Sequence, residues 1–319
     1  MKKNTWRWLI WGLGAAAALE ALLVTLDGIL FARNRHTAQR IYEKGQKVNR
    51  QANASENQLR NQLDQRIGHL PFEYHYLKNS RKHILSARLY KPETPSDIYI
   101  IGSHGYRSTG INEFEAFLEY WLGKGFNVLL PDHQAHGRSE GHTISFGEQE
   151  SKDIRRWIDY ILRHENPEAR IGLHGVSMGA ATVLQTATQD DLPWNVRFVI
   201  SDCAYGSAPE QIKIAMRYVN LPGWFFPAIA AHYRLFHRGS LYRVNGFRAV
   251  KNLHIPVLYI HGMQDSLIPY DNSQRLYLNT ASDDKDLLLV PEADHAQSWH
   301  KAKSEYKRHV DALVAKALH

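Results

Sequence analysis

The sequence predicts an α/β protein with a mostly parallel central sheet and helices on both of its faces. From about residue 71 onward, short apolar runs alternate with amphipathic segments, as expected for strands connected by helices. Near the middle, the run that starts at Arg170 leads directly into the turn Gly175-Val-Ser-Met-Gly179 and then into helix-forming residues. Strand, sharp turn and helix therefore follow one another, with Ser177 at the apex.

The turn around Ser177 has the composition of a nucleophile elbow. A serine in a strained strand-to-helix turn holds its hydroxyl clear of the sheet. Gly175 and Gly179 suit the positions where a Cβ would clash between helix and strand. The backbone N–H of Met178, at the start of the helix, would face the oxygen of a reacting carbonyl group. We interpret Ser177 as the nucleophile and the Met178 N–H as an oxyanion donor.

The other elements are predicted from apolar runs and helical spacing. Strands are expected at residues 73–77, 83–90, 97–102, 127–130, 196–200, 256–261 and 286–290. Helices are expected at residues 112–122, 148–162, 272–278 and 301–318. The first two strands are separated by basic and turn residues, which predicts an antiparallel hairpin at the beginning of the sheet.

An apolar insertion at residues 204–249 is not required by alternating strands and helices. Pro222 and Pro227 interrupt it, so two or three short helices are expected. We predict a cap over the active site, in which Trp224 and Phe225 contact the substrate and limit its chain length. Packing of these apolar residues on the sheet is the alternative, and both can hold for different faces of the helices.

The N-terminal residues 1–31 are predicted to form a membrane anchor. Lys2, Lys3 and Arg7 precede an apolar stretch, residues 8–31, that is interrupted only by Glu20 and Asp27 and is long enough to span a bilayer. A cleaved signal peptide and a helix packed on the domain are the alternatives. Residues 32–70 are polar and predict a stalk, and residues 71–319 form the expected catalytic domain.

Charge and cysteine content restrict the possible partners. The net charge of the 319 residues is +7, but residues 71–319 contain 28 Lys and Arg against 27 Asp and Glu. This near-neutral balance argues against nucleic-acid binding. The single cysteine, Cys203, excludes an intramolecular disulfide and a cysteine-based metal cluster.

Ser177 needs a general base, because a free hydroxyl is a poor nucleophile at neutral pH. His295 is the candidate base, since it follows the last predicted strand. Asp265 lies just beyond the preceding strand and would orient the imidazole, which gives the order Ser, Asp, His along the chain. Asp202 also ends a strand and is the alternative acid.

The second oxyanion donor is predicted to be the backbone N–H of Tyr106, in the loop after the third strand. His133, His136 and His142 raise the possibility of a metal, but their spacing fits no helical pair of ligands. We therefore expect neither a metal nor a cofactor.

Five motifs occur in an order that resembles the α/β-hydrolases, and in particular the membrane-anchored cell-surface hydrolases of Gram-positive bacteria. They are His104-Gly105, Asp132-His-Gln-Ala-His136-Gly-Arg-Ser139, Gly175–Gly179, His261-Gly-Met-Gln-Asp265-Ser-Leu-Ile-Pro269 and Asp294-His295. The resemblance covers residues 71–319.

This resemblance implies a serine hydrolase with a small-molecule ester substrate. Together with the apolar cap, it leads us to expect short-to-medium acyl chains. A thioesterase, amidase, peptidase or acyltransferase would use the same residues, and a non-catalytic membrane-tethered module is the other class. The predicted location is the cell membrane, with the catalytic domain outside the cell, while the oligomeric state stays open.

Overall fold

The computed structural model describes residues 21–25, 70–218 and 220–318 of the chain. Within these residues a single sheet of eight strands forms the centre of the fold. The strands are β1 (Glu73–Lys78), β2 (Ile84–Tyr90), β3 (Ile98–Ser103), β4 (Asn127–Pro131), β5 (Arg170–Val176), β6 (Val196–Asp202), β7 (Val257–Gly262) and β8 (Lys285–Val290).

The strand order in the sheet is β1-β2-β4-β3-β5-β6-β7-β8. Strand β2 is antiparallel to both of its neighbours, and every other pair is parallel. The hairpin expected at the start is confirmed, with Glu73 opposite Leu89. Because the strands from β3 to β8 are parallel, their carboxyl ends lie at one edge of the sheet, where the loops that follow them can meet.

Nine helices are labelled here among the described residues. They are α1 (Gly110–Gly123), α2 (Glu148–Tyr160), α3 (Met178–Ala187), α4 (Ala208–Tyr218), α5 (Phe226–His237), α6 (Gly246–Ala249), α7 (Asp271–Asn279), α8 (Ser298–Lys301) and α9 (Lys303–Leu318). Helix α1 begins where the Thr109 side chain accepts a hydrogen bond from the Asn112 N–H. The helix that follows β5 starts immediately after Ser177, as the elbow requires.

Two apolar clusters cover the two faces of the sheet. One contains Trp121 of α1 and Tyr306 of α9, and the other contains Trp157 of α2 and Leu184 of α3. Each such buried side chain contributes about 1.5–3 kcal/mol by leaving water. The predicted fold class, a mostly parallel sheet between layers of helices, is confirmed.

A third apolar cluster joins the 204–249 insertion to the elbow. It contains Ile212 of α4, Phe226 of α5 and Met178 at the start of α3. Trp224 is different, because its side chain is 73% exposed and stacks on Phe225 with ring centroids 4.0 Å apart. The Trp224 side chain therefore lies outside the described cluster that reaches the elbow, and its predicted effect on substrate chain length stays a prediction.

Most of the predicted anchor and stalk, residues 1–31 and 32–70, lies outside the described residues. The exceptions are residues 21–25, which are helical, and Leu70. Leu23 is buried in the cluster that also contains the cap residues Ile212 and Phe226. In the described ranges, no helix is both long and apolar enough to cross a membrane.

Candidate active site

Ser177 lies in a strained turn between β5 and α3. Its backbone has φ 57° and ψ −119°, in the left-handed half of conformational space that a residue with a Cβ seldom adopts. A Cβ atom added to Gly179 would lie 1.8 Å from the backbone oxygen of Ser103. A Cβ atom added to Gly175 would lie 2.3 Å from the backbone oxygen of Gly179. Both glycines are needed because main-chain atoms of strand and helix are in contact here.

The structure brings together the three side chains selected from the sequence. His295 Nε2 lies 2.9 Å from Ser177 Oγ, and His295 Nδ1 lies 2.8 Å from Asp265 Oδ2. Ser177 comes from the β5–α3 turn, Asp265 from the loop after β7 and His295 from the loop after β8. In this arrangement a proton on Nδ1 is donated to the carboxylate, and Nε2 is left to accept the serine proton.

The Asp265 carboxylate accepts hydrogen bonds on both oxygens. Oδ2 faces the His295 ring and also His261 Nε2, at 3.1 Å. Oδ1 accepts from the backbone N–H groups of Leu267 and Ile268, at 2.9 and 2.7 Å. Burial by itself raises the pKa of Asp265, but the His295 charge and the hydrogen bonds from the two histidines lower it further than burial raises it. The group is therefore an ionised acceptor.

His261 has a role in the site that sequence reasoning missed. Its Nε2 lies 2.9 Å from the Ile268 oxygen as well as near Asp265, and both of these partners are acceptors, so Nε2 carries the proton. Its Nδ1 then accepts from the Ser273 hydroxyl at 2.7 Å. The fully buried ring thus helps to fix the carboxylate oxygen that also contacts His295. The sequence contained an indication of this role, because His261 is the first residue of the motif that contains Asp265.

Several acids determine the charge state of His295. Burial lowers its pKa, but the adjacent Asp265 carboxylate, with smaller contributions from Glu113 and Asp202, raises it above the ordinary value. A base with a raised pKa takes the serine proton more readily, yet it must itself be neutral to do so. Turnover that depends on His295 should therefore increase as the pH rises through this pKa.

Glu113 is a half-buried acid beside the elbow that the sequence did not single out. It lies in the first turn of α1, and its Oε2 accepts from the Gly105 N–H at 3.2 Å. The Cβ position of Gly105 is 3.3 Å from Glu113 Oε2 and also 3.3 Å from Ser177 Cβ. An acidic side chain is consequently held next to Ser177 and the loop that carries Tyr106.

Asp202, the alternative acid, occupies a different environment. It lies at the end of β6, fully buried, and hydrogen-bonds to Tyr306, while its Oδ1 has no partner among the described residues. Burial raises the pKa of Asp202 to about 7, with the Tyr306 hydrogen bond and the His295 charge opposing that rise. The carboxylate that contacts His295 Nδ1 is that of Asp265.

Two buried histidines hold the loop of the predicted second oxyanion donor. His104 Nδ1–H donates to the Gly105 oxygen at 2.8 Å, and His136 Nε2 accepts from the Arg107 N–H at 3.0 Å. These bonds fix the main chain on both sides of Tyr106. Burial keeps the pKa of both rings below the ordinary value, so neither loses its hydrogen-bonding role near neutral pH.

The walls next to the elbow are apolar. The Tyr106 ring stacks on Phe146 with centroids 5.5 Å apart and an interplanar angle of 24°. Met178, whose N–H begins α3, is buried in the same cluster as Phe146 and Ile268. Hydrogen bonds to an oxyanion are worth more in such a region, because little water competes for the charge.

One group of side chains could approach a metal ion. Cys203, Asp265 and His295 have ligand atoms within 4.8 Å of one another. Burial, with the neighbouring Asp202 and Asp265 charges, raises the pKa of the Cys203 thiol well above its usual range. The thiolate that binds metals is thus disfavoured, and the histidine is already hydrogen-bonded to Ser177 and Asp265. This donor set fits a proton relay better than a metal site.

Comparisons with known proteins identify the family. Residues 94–245 match the Hydrolase_4 family, described as serine aminopeptidase, S33. Over 224 residues, 70% of this chain and 72% of the relative, the chain is 31% identical to the uncharacterized protein YqkD of Bacillus subtilis. The chain belongs to the α/β-hydrolase family. Family membership makes it a hydrolase, which confirms the broad functional prediction.

Solved structures of the same fold include an esterase. The Pyrococcus furiosus esterase Pf2001 superposes with a TM-score of 0.65 at 20% identity, covering 80% of this chain and 94% of the esterase. Mouse α/β hydrolase domain-containing protein 10 gives a TM-score of 0.58 at 21% identity, covering 76% of this chain and 99% of the mouse protein. At these identities the similarity establishes the fold.

Proposed function

We propose that the protein is a serine hydrolase that cleaves carboxylic esters through an acyl-enzyme on Ser177. The observation that carries the proposal is the relay from Ser177 Oγ to His295 Nε2, at 2.9 Å, and from His295 Nδ1 to Asp265 Oδ2, at 2.8 Å. Both separations are within hydrogen-bond reach for proton transfer without rearrangement.

In the acylation step, His295 Nε2 takes the Ser177 proton while Oγ bonds to the carbonyl carbon of the ester. The carbonyl π electrons move to oxygen, and the resulting oxyanion accepts hydrogen bonds from the N–H groups of Met178 and Tyr106. When the carbonyl re-forms, the C–O bond to the alcohol breaks, and the departing alkoxide takes the proton from His295. Asp265 stabilises the imidazolium that exists between these two transfers.

Deacylation repeats the sequence with water as the nucleophile. His295 removes a proton from water, the hydroxide adds to the acyl carbon, and the same two N–H groups bind the second oxyanion. Collapse of this intermediate breaks the bond to Ser177 Oγ, which recovers a proton from His295. The carboxylic acid leaves, and the enzyme returns to its initial protonation state.

The proposal is tested with Ser177→Ala in the full chain. Hydrolysis of a chromogenic short-chain ester and labelling by a fluorophosphonate probe should both fall to background, while the circular dichroism spectrum and melting temperature stay close to those of the parent. Ser304→Ala, at an exposed position on α9, serves as the control and should label normally. Turnover or labelling that persists in Ser177→Ala would locate the nucleophile elsewhere.

A peptidase is the second candidate, because the matched family is described as serine aminopeptidase. The same acyl-enzyme would form from an amide, with an amine as the leaving group. Matched ester and amide substrates that share one acyl group separate the two functions. We expect kcat/KM to be higher for the ester, and a higher value for the amide would replace esterase by peptidase.

We further propose that the cap selects short-to-medium acyl chains. Ile212, Met216 and Phe226 belong to the cluster that contains Met178, so these residues are the nearest candidates for contact with an acyl chain. Each buried methylene contributes about 0.8 kcal/mol, which should raise kcat/KM by about fourfold per carbon until the space is filled. Met216→Ala should move the optimum to longer chains, and an unchanged profile would exclude the cap from specificity.

Membrane attachment through residues 8–31, with the domain outside the cell, stays a proposal based on the sequence. It is tested by fractionation of the full-length protein. We expect it to sediment with membranes after a high-salt wash and to be released by detergent. Release by salt alone would contradict a spanning anchor, and protease treatment of intact cells would report which side the domain faces.

A further inference from the structure

The 204–249 cap is strongly basic, in contrast to the domain around it. It contains six Lys and Arg and a single acid, Glu210, whereas residues 71–319 as a whole are balanced at 28 against 27. Glu210 pairs with Arg275, which lies outside the cap, at 3.6 Å. Arg243 pairs with Glu148 at 3.2 Å. The other five cations form no ion pair within the described residues: Lys213, Arg217, Arg234, Arg238 and Arg248.

The outer face of α5 combines two of these cations with an apolar stripe. Pro227, Ala231 and Leu235 are exposed at four-residue spacing, so they lie along one side of the helix. Arg234 and Arg238 lie on the same side, seven and eleven residues after Pro227. Leu235 is 73% exposed. The opposite side of α5 is buried in the cap cluster through residues such as Ile229 and Tyr233.

Further aromatic side chains extend this surface. The exposed rings of Trp224 and Phe236 lie at the two ends of α5, and Tyr242 contacts Phe226 at a centroid distance of 5.5 Å. Exposed apolar side chains that form a contiguous patch mark sites of contact with proteins or membranes. Trp and Tyr are the side chains that favour the headgroup region of a bilayer, and adjacent Lys and Arg are attracted to anionic lipids.

The described N-terminal residues 21–25 contact this part of the molecule through Leu23. Leu23 is buried in the cap cluster and belongs to the apolar stretch, residues 8–31, that the sequence predicts to enter a bilayer. Residues 21–25 therefore pack on the protein, and a bilayer entered by the rest of this stretch would be adjacent to the cap. An anionic lipid surface fits both the cations and the exposed apolar stripe of α5.

We propose that the exposed face of α5, together with Trp224, binds the surface of an anionic lipid bilayer. Leu235 and Trp224 enter the headgroup region, while Arg234 and Arg238 contact lipid phosphates. This contact is additional to attachment through residues 8–31 and does not depend on the reaction at Ser177. It orients the domain so that the cap faces the membrane.

The test uses the full chain with a fluorophore at one introduced cysteine. Leu235→Cys places the label on the proposed face, and Leu278→Cys, 75% exposed on α7, is the matched control. The native Cys203 is buried and should not react. Each labelled protein is bound to phosphatidylcholine vesicles with or without phosphatidylglycerol, in which a nitroxide lipid quenches the label where it contacts the bilayer.

We expect quenching at residue 235 that requires phosphatidylglycerol and decreases with salt, and little quenching at residue 278. In Arg234→Gln/Arg238→Gln the docking equilibrium should weaken by about thirty-fold, because each cation near an anionic surface is worth ~1 kcal/mol. Equal quenching at both sites, quenching independent of lipid charge, or none at residue 235 would overturn the proposal. A signal at residue 235 that changes only with protein concentration would instead indicate a contact between two copies and would also overturn it.

Discussion

Replacement of Asp265 by Asn tests the proton relay at a residue whose hydrogen-bond partners are all donors. All four groups that face the carboxylate are donors: His295 Nδ1 and His261 Nε2 on one oxygen, and the N–H groups of Leu267 and Ile268 on the other. An asparagine offers one oxygen and one NH2 group. Whichever way it is oriented, the NH2 group faces donors, so the hydrogen bonds cannot all be kept.

The more favourable orientation directs the amide oxygen at the two backbone N–H groups and the NH2 group at the histidines. His295 can then accept at Nδ1 only by moving its proton to Nε2, the atom that must receive the Ser177 proton. A loss of this kind in another serine hydrolase costs about 10⁴-fold in kcat, which is about 5.5 kcal/mol of transition-state stabilisation. Mismatched buried donors should also lower the free energy of unfolding by about 1–3 kcal/mol.

Kinetics of ester hydrolysis at a temperature where both proteins are folded would separate these two effects. Asp202→Asn is the matched control, because it removes a second buried carboxyl group at the same edge of the sheet. We expect it to reduce kcat by less than about tenfold, since it leaves the correct His295 tautomer in place. A loss below about a hundredfold for Asp265→Asn, or a larger loss for Asp202→Asn, would refute the assignment of the acid.

Two further substitutions test the surroundings of the relay. Glu113→Gln should shift the acid limb of the kcat/KM profile to lower pH, because Glu113 raises the pKa of His295 and its removal makes His295 neutral at a lower pH. Glu119→Gln, at an exposed position on the same helix, is the control and should leave the acid limb in place. An unshifted limb in Glu113→Gln would contradict this account. Gly179→Ala should abolish activity and cost about 3 kcal/mol or more in unfolding free energy, because its Cβ would lie 1.8 Å from a backbone oxygen at the end of β3. Gly123→Ala, with no atom within 4 Å, is the control, and equal melting temperatures for the two variants would show that the elbow can relax.

The fold could be predicted largely from the sequence because its signals are local. Apolar runs mark the strands, and the turn at Ser177 depends on glycines whose spacing is visible in the chain. The boundaries of β1 and β2 differ from the prediction by one residue. The exposure of Trp224 was not predictable in this way, since an apolar residue in a capping insertion can point to either side, and only the packing of α5 decides which.

The contacts that shift the pKa values of the site residues could be identified only from the structure. Glu113 approaches Gly105 because α1 packs across the end of β3, a relation between elements that no local pattern specifies. The pairing of His261 with Asp265 was closer to prediction, because the two residues are four apart in one motif. Sequence order was enough to select the residues to which chemical roles are assigned, while their protonation states depend on neighbours that are brought together by packing.

The coexistence of two carboxyl groups near His295 illustrates this dependence. Asp202 ends β6 and Asp265 follows the neighbouring strand β7, and both side chains are buried, so burial alone would raise the pKa of each. Asp265 is surrounded by four donors and remains ionised. Among the described residues the Asp202 side chain hydrogen-bonds to Tyr306 and its Oδ1 has no partner, and burial raises its pKa to about 7.

Tyr306 in turn contacts the buried His174, whose pKa burial lowers to about 3, so no cation offsets the Asp202 charge from that side. A second full negative charge beside Asp265 would raise the pKa of His295 still further and restrict the neutral base to higher pH. Because burial raises the pKa of Asp202 to about 7, part of this carboxyl group is neutral near pH 7, and its effect on the pKa of His295 is smaller. The donors around each carboxyl group, rather than its position at a strand end, therefore make Asp265 the acid suited to the relay.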